Sequence, residues 1–232
     1  MLNIIKHLIP IYLLIIALIM LIYIAFSILR SKRRIAILDN DCDPEAFWEK
    51  TVKQASVTGR NPKMAVYFAI NEAAAYITMG RFQEAGIILE DVDRRYLSDR
   101  NNTLLIYTMN RIICCYELGK TDEAERLFVR QLTVLPALSR DLRDAIRVLI
   151  GERYFFLGKY DESLEYFNKL LKNPLSKRKR LDIQYRLAQI DEIKNDTEDA
   201  ISKYTEVVQQ GNKLWIAKQA AERLKELTGA KG

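Results

Sequence analysis

The hydrophobic pattern divides the chain into two unlike parts. Leu8 to Leu29 reads LIPIYLLIIALIMLIYIAFSIL, without a charged residue. Taken as helix, at about 1.5 Å per residue, it spans roughly 33 Å, enough for a hydrocarbon core. Apolar residues cover every face, which predicts a membrane-spanning helix rather than a core helix. Pro10 then falls in the first turn, where its missing N–H costs no helical bond. Further on, apolar positions recur three and four apart: Leu127, Phe128, Leu132; Leu164, Phe167, Leu170, Leu171; Ile201, Tyr204, Val207, Val208. No stretch alternates with a period of two, so this part reads as all-α.

Local punctuation marks where the helices begin and end. Asp43-Pro44 and Asn61-Pro62 each place a capping side chain before a proline at the first helical position. The first pair opens a helix that runs to about Val57, ends before Gly59 and has Phe47, Trp48, Val52 and Ala55 as its apolar side. Three segments then repeat one another: GRFQEA at 80–85, GKTDEA at 119–124 and GKYDES at 158–163, their glycines 39 residues apart. NDTEDA at 195–200 is a fourth copy, with Asn195 in the glycine slot. Gly, and Asn after it, end a helix in the left-handed conformation at least steric cost. The acids that follow favour the positive end of the next helix. Ala85, Ala124, Ser163 and Ala200 are small, as a close helix–helix approach requires.

These signals predict first helices over about 62–79, 103–118, 138–157 and 177–194. The second helices fall over about 82–92, 122–134, 161–172 and 197–209, with a last helix over 214–227. The expected organisation is a transmembrane anchor with a basic flank at 1–34, a connector and lead-in helix at 35–61, helical repeats at 62–211, and a C-terminal capping helix and tail at 212–232.

The repeats resemble the tetratricopeptide repeat (TPR) family. The third copy carries the likeness best, in Ile150-Gly151, Tyr154, Gly158, Tyr160, Ser163, Phe167 and Pro174. The second adds Leu118-Gly119, Ala124, Phe128 and Pro136, and the fourth Leu187-Ala188, Ala200 and Tyr204. The period of 37–39 departs from the family's usual one of about 34, and the large aromatic early in the first helix is absent. The resemblance implies an α-solenoid of about four helix pairs. Its concave face, lined by first helices, would bind a peptide or protein.

Aligned on the turns, Tyr67, Ile70, Asn71 and Ala74 take that face in the first pair, and Ile106, Met109, Asn110 and Ile113 in the second. Asn71 and Asn110 stand one period apart, as amides that would bond a peptide backbone or merely cap local backbone or face water. Arg186 and Gln189 make the far end of the groove more polar. A clamp for a terminal carboxylate needs several cations in these slots, and only Arg186 is present.

Charge adds a direction. Five of the 36 basic residues (Lys6, Arg30, Lys32, Arg33, Arg34) and no acid lie within residues 1–34, which leaves 31 against 30 acids. The sequence pI of about 9.1 therefore reflects the amino-terminal segment and implies no nucleic-acid surface. Arg30, Lys32, Arg33 and Arg34 outnumber the charges before the apolar stretch, which places the C-terminal part in the cytosol by the positive-inside rule. A cleaved signal peptide would have an apolar core of about 7–15 residues, shorter than this one. The run Lys177-Arg178-Lys179-Arg180 reads as solvated loop charge, with anionic lipid or an acidic partner as the sharper option.

Little in the composition suggests chemistry. The one histidine, His7, precedes the apolar stretch, so the repeats hold no His-based relay or metal site. Cys114 and Cys115 are adjacent, diverge by about 100° on a helix and read as core residues. Asp39, Asp41 and Asp43 imitate the start of a calcium loop, but Pro44 stands where glycine is needed and Lys50 where glutamate is needed. The expectation is a non-enzymatic, single-pass membrane protein without cofactor, metal or small-molecule substrate. It would be a scaffold for a protein or peptide partner, the alternative being an accessory subunit of a membrane enzyme or envelope-assembly complex.

Overall fold

The computed structural model describes residues 2–58 and 61–229, with side chains from Tyr12 onward except that of Thr58. The side chains of Lys6 and His7, and all of Gly59, lie outside the described residues. Two units divide the chain, Met1–Ala36 and Ile37–Gly232.

The first unit is the body of helix α1 (Leu2–Asp39). Every residue from Tyr12 to Arg30 is exposed. Among the described residues this is the one helix long and apolar enough to cross a membrane. It extends further than the pattern suggested in both directions. Pro10 lies two turns inside it rather than in its first turn, and residues 35–39, expected as connector, continue it. An interior proline forfeits one backbone bond, a defect that apolar helices accommodate by small local adjustments.

The described residues of the second unit form helices joined by turns and loops, and no strand occurs among them. Its helices are α2 (Pro44–Thr58), α3 (Pro62–Thr78), α4 (Phe82–Glu90), α5 (Thr103–Glu117), α6 (Thr121–Arg130), α7 (Arg140–Phe156), α8 (Tyr160–Leu171), α9 (Lys177–Ile193), α10 (Thr197–Gln210) and α11 (Trp215–Thr228). Asp43 caps α2 by accepting from the Ala46 N–H at 2.9 Å, and Asn61 caps α3 by accepting from Lys63. The pairs α3–α4, α5–α6, α7–α8 and α9–α10 pack side by side as the four repeats.

The four turns share one geometry. Gly80, Gly119, Gly158 and Asn195 all have φ between 62° and 75°. Around them the backbone closes twice. Gly80 N–H donates to Ile77 O and Arg81 N–H to Tyr76 O, and the same two bonds recur at Gly119, Gly158 and Asn195. This double closure satisfies the last carbonyls of each first helix and reverses the chain into the second. The small residues behind the turns, Ala85, Ala124, Ser163 and Ala200, are fully buried where the two helices meet. At the third turn Ser163 Oγ also donates to the Gly151 carbonyl at 3.0 Å.

Each core cluster reaches into the next pair. Leu149 of α7 joins Leu105, Ile112 and Phe128 of the second pair, and Ile183 and Leu187 of α9 join Val148, Phe167 and Leu170 of the third. Such nearest-neighbour burial gives a solenoid its cooperativity. One boundary differs from expectation: α6 stops at Arg130, and Leu132–Val134 form a 3-10 turn instead of continuing it. Pro136 follows closely and biases the chain away from helix.

Helix α11 packs on α10 and α9 as a terminal cap does. It also reaches back to the first pair. Trp215 meets Phe82 edge-on, with ring centroids 5.2 Å apart, and a Cβ on Gly80 would fall 2.2 Å from the indole. Glycine at that turn thus serves both a positive φ and a close approach. The solenoid therefore curls until its last helix touches its first turn.

Candidate functional site

The first helices α5, α7 and α9 line the inner face of the solenoid, and the residues expected to form a groove separate into two groups there. Ile70, Met109, Asn110 and Arg186 are buried, while Tyr67, Asn71, Ala74, Ile106, Ile113 and Gln189 remain half-buried. Asn110 Nδ2 donates to the Ile70 carbonyl on α3 at 3.1 Å, so this amide clips one repeat to the next. Asn71 Nδ2 donates to the Tyr67 carbonyl within its own helix. Asn71 thus caps backbone of its own helix, whereas Asn110 takes a role outside the two expected, an inter-repeat bond. Arg30, Lys32 and Arg33 stand exposed on α1, whereas Arg34, expected beside them, is buried.

Charge, unexpectedly, fills the centre of the inner face. Arg186 Nη2 pairs with Glu117 at the end of α5, its Nε donates to Glu152 of α7 at 2.6 Å, and Nη1 donates to Gln189 at 2.8 Å. The guanidinium lies 4.8 and 4.7 Å from the ring centres of Phe155 and Phe156. Burial disfavours the Arg186 charge, but Glu152 and Glu117 more than offset it and hold the group firmly cationic. Burial pushes Glu152 up to about 7, against the opposing pull of Arg186, and the nearby Glu117 charge adds to the rise.

A second cluster ties the segment Ile37–Asp43 to the repeats. Arg178 donates to Asp39 at 2.7 Å and to Asp182 at 3.1 Å, and Lys179 bridges Asp39 and Asp141 of α7. Burial works against the Asp39 charge, yet Arg178 and Lys179 outweigh it and hold the carboxyl below its ordinary value. Cys42, fully buried, packs against Leu181, Tyr185 and Leu214. Lys213 N–H donates to the Cys42 carbonyl at 3.2 Å, and its ammonium pairs with Asp43 and Glu45. The basic run at 177–180 is therefore neither solvated loop charge nor a lipid contact in its two central residues. They turn inward to meet acids brought from far along the chain.

Beside the Arg186 network an open pocket of about 380 Å³ lies between α7, α9, α10 and α11, lined by Phe155, Tyr185, Tyr204, Gln189, Gln219 and Ile193 and by the ion pair Glu192–Arg223. Its walls mix aromatic rings with two amides and a charged pair, so it offers both apolar and polar contacts. The thiols offer no reactive site. Cys114 and Cys115 are buried, and burial pushes Cys114 up to about 12. Among the described residues no group of His, Cys, Asp and Glu could hold a metal ion.

The family described as the SusR N-terminal TPR domain matches residues 46–210, most of the chain and all four helix pairs. The chain belongs to the TPR family. No curated protein and no solved structure matches it. As a TPR protein it carries repeats that serve in general as protein-interaction scaffolds.

The residues missed in the sequence share one signal. In LIGERYFF, Glu152 lies three residues after Leu149 and four before Phe156, so a charge shares a face with core residues. Glu117 follows the buried Cys114 at the same interval. A charge in register with a buried stripe announces a buried partner, although it does not say which one.

Proposed function

We propose that this TPR protein is a membrane-tethered scaffold that holds a protein or peptide partner at the cytosolic face. The observation that carries the reading is the unbroken exposure of Tyr12–Arg30 on one helix joined to a repeat domain. Burying a large aliphatic side chain is worth about 1.5–3 kcal/mol, so a bilayer is the natural solvent for such a surface. Arg30, Lys32, Arg33 and Arg34 follow the apolar stretch and favour the cytosol for what comes after. Tethering raises the local concentration of the repeats near membrane partners without any chemistry.

The partner surface in this reading comprises the half-buried positions Tyr67, Asn71, Ile106 and Ile113, with Gln189 and its open pocket at the far end. The buried Ile70, Met109, Asn110 and Arg186 shape the surface from beneath. Two measurements test the proposal in intact cells. Full-length chain should stay in the membrane pellet after alkaline carbonate extraction. A photo-crosslinker at Ile113 or Gln189 should capture a protein that one at the exposed Val57 does not. Release by carbonate, or identical capture from all three positions, overturns the reading.

A further inference from the structure

Ile37–Asp43 bridges the two ends of the repeat array. Leu38 joins Phe47 of α2 and Ala75 of α3 in one buried cluster. Asp39, the next residue, meets Arg178 of α9 at 2.7 Å and Lys179 at 3.7 Å. Cys42 sits among Leu181 and Tyr185 of α9 and Leu214 before α11. Helices α3 and α9 belong to the first and fourth pairs, so the segment fills the gap that the curl of the solenoid leaves between its ends.

Its chemistry is that of an acidic strip laid against cations. The segment reads ILDNDCD, three acids without a basic residue. Arg178 and Lys179 hold Asp39, Lys213 holds Asp43, and Lys177 acts on the Cys42 thiol from nearby. Acids on the receiving side decide whether the seat can empty. Arg178 retains Asp182 at 3.1 Å, Lys179 retains Asp141 and Lys213 retains Glu45, so departure of the segment strands none of these three cations. Two hydrogen bonds from the α10–α11 linker hold its backbone, Lys213 N–H to Cys42 O at 3.2 Å and Asn212 Nδ2 to Asp41 O at 2.9 Å. Cys42 adopts φ 55°, a left-handed conformation that carries a steric cost outside glycine, and release relieves it.

We propose that Ile37–Asp43 is an internal ligand, and that its seat on α3 and α9 is the docking site for an acidic partner segment with two apolar residues four apart, as Leu38 and Cys42 are. The partner's carboxylate replaces that of Asp39 on Arg178 and Lys179. Its apolar residues replace Leu38 beside Ala75 and Cys42 beside Leu181. Segment and partner exclude one another, so the chain rests closed until a partner of sufficient affinity shifts the population. A basic partner finds no free acid in the seat, because Asp141 and Asp182 are already paired with Lys179 and Arg178. The proposal rests on the reading of the repeats as a protein-binding scaffold and adds the chemistry of the partner.

A fluorescein-labelled peptide copying residues 35–45 stands in for the partner, and fluorescence polarisation reads its binding to the full-length chain in phosphatidylcholine nanodiscs. The parent should bind it weakly, because its own segment competes. Asp39→Asn and, separately, Leu38→Ser loosen that segment, and each should bind the peptide about tenfold more tightly, as a tenfold larger open fraction requires. A scrambled peptide, or the same peptide with Asp39→Asn, should lose the gain, and so should either chain once Arg178→Gln is added. Circular dichroism of the same samples reports whether each variant keeps its helices. Variants of parent helicity that bind no more tightly than the parent, or equal binding of the scrambled peptide, overturn the proposal. Loss of helicity in both variants also overturns it, since the segment would then be part of the fold itself. Crosslinking from Ile113 or Gln189 tests the scaffold reading separately, so the two failures are told apart.

Discussion

Arg186 of α9 pairs with Glu117 of α5, 69 residues earlier in the chain, and passes over Glu152 of α7 on the way. In a solenoid each repeat normally touches only its neighbours. Here a single guanidinium connects the fourth pair to the third and to the second. That link, with Trp215 resting on Phe82, makes the repeat unit more than a stack of adjacent interfaces.

Arg186→Met tests this link. It leaves two carboxylates on the inner face without their cation, and breaking one side of a buried pair costs about 3–5 kcal/mol. Urea unfolding followed by helical circular dichroism should show that loss. Adding Glu117→Gln and Glu152→Gln should restore most of it, because the penalty lies in the stranded charges. A loss below about 1 kcal/mol would place the network among surface pairs.

Glu152 gives the stability a pH dependence with a defined sign. Its ordinary value is 4.5, and burial raises it to about 7 in the folded chain. Between these values the unfolded chain has released the proton that the folded chain retains, so stability falls as pH rises from about 4.5 to 7. The full shift corresponds to about 3 kcal/mol. Melting curves at pH 5, 6 and 7 should therefore show Glu152→Gln gaining on the parent as pH rises. A constant difference across that range contradicts the assignment.

The helical repeat was legible because its determinants are local. A left-handed residue, a small residue five positions on and a first-turn acid each act within one turn, so Gly80, Gly119, Gly158 and Asn195 identified the pairs unaided. The inner face was not legible, because its determinants are distant. Nothing near Lys179 indicates that Asp39 and Asp141 will meet it, and four consecutive cations resemble solvated charge until the solenoid's curvature brings the acids round. Aligning repeats on their turns likewise assigned Ile70 and Asn110 to an open face. The approach of α3 to α5 covers both of them.

Asp39→Asn should loosen the segment that joins α1 to the repeats. Arg178 retains Asp182 and Lys179 retains Asp141, so the expected cost is about 1–3 kcal/mol, below that of a fully stranded pair. Hydrogen exchange should accelerate first at the amides of Asp43 and Lys213, whose backbone bonds hold this segment in place. Uniform acceleration throughout α9 and α10 would mean that the clasp supports the whole unit.

Two glycines respond differently to the same change. A Cβ on Gly151 would lie 2.2 Å from Cε1 of the fully buried Phe167, whereas one on Gly119 meets open space at φ 73°. Gly151→Ala should cost about 1–3 kcal/mol through overpacking, and Phe167→Leu should recover part of it. Gly119→Ala should cost about 1–2 kcal/mol through backbone strain alone. Gly119→Asn should cost less than Gly119→Ala, because Asn195 already fills the equivalent slot at φ 62°.

The two amides one period apart provide the sharpest separation of folding from binding. Asn110 is buried and its bond crosses from α5 to α3, so Asn110→Ala removes an inter-repeat contact and should cost about 1–2 kcal/mol. Asn71 is half-buried and bonds only within its own helix, so Asn71→Ala should change stability by no more than about 0.5 kcal/mol. Partner crosslinking should order them the other way once the loss of folded Asn110→Ala is allowed for. Asn71→Ala, with Tyr67→Ala beside it, should reduce capture at full helicity, while Asn110→Ala that remains folded should capture normally. Equal capture by the parent and the Asn71→Ala, Tyr67→Ala double variant would remove the first pair from the partner surface and leave the open pocket beside Gln189 as its seat.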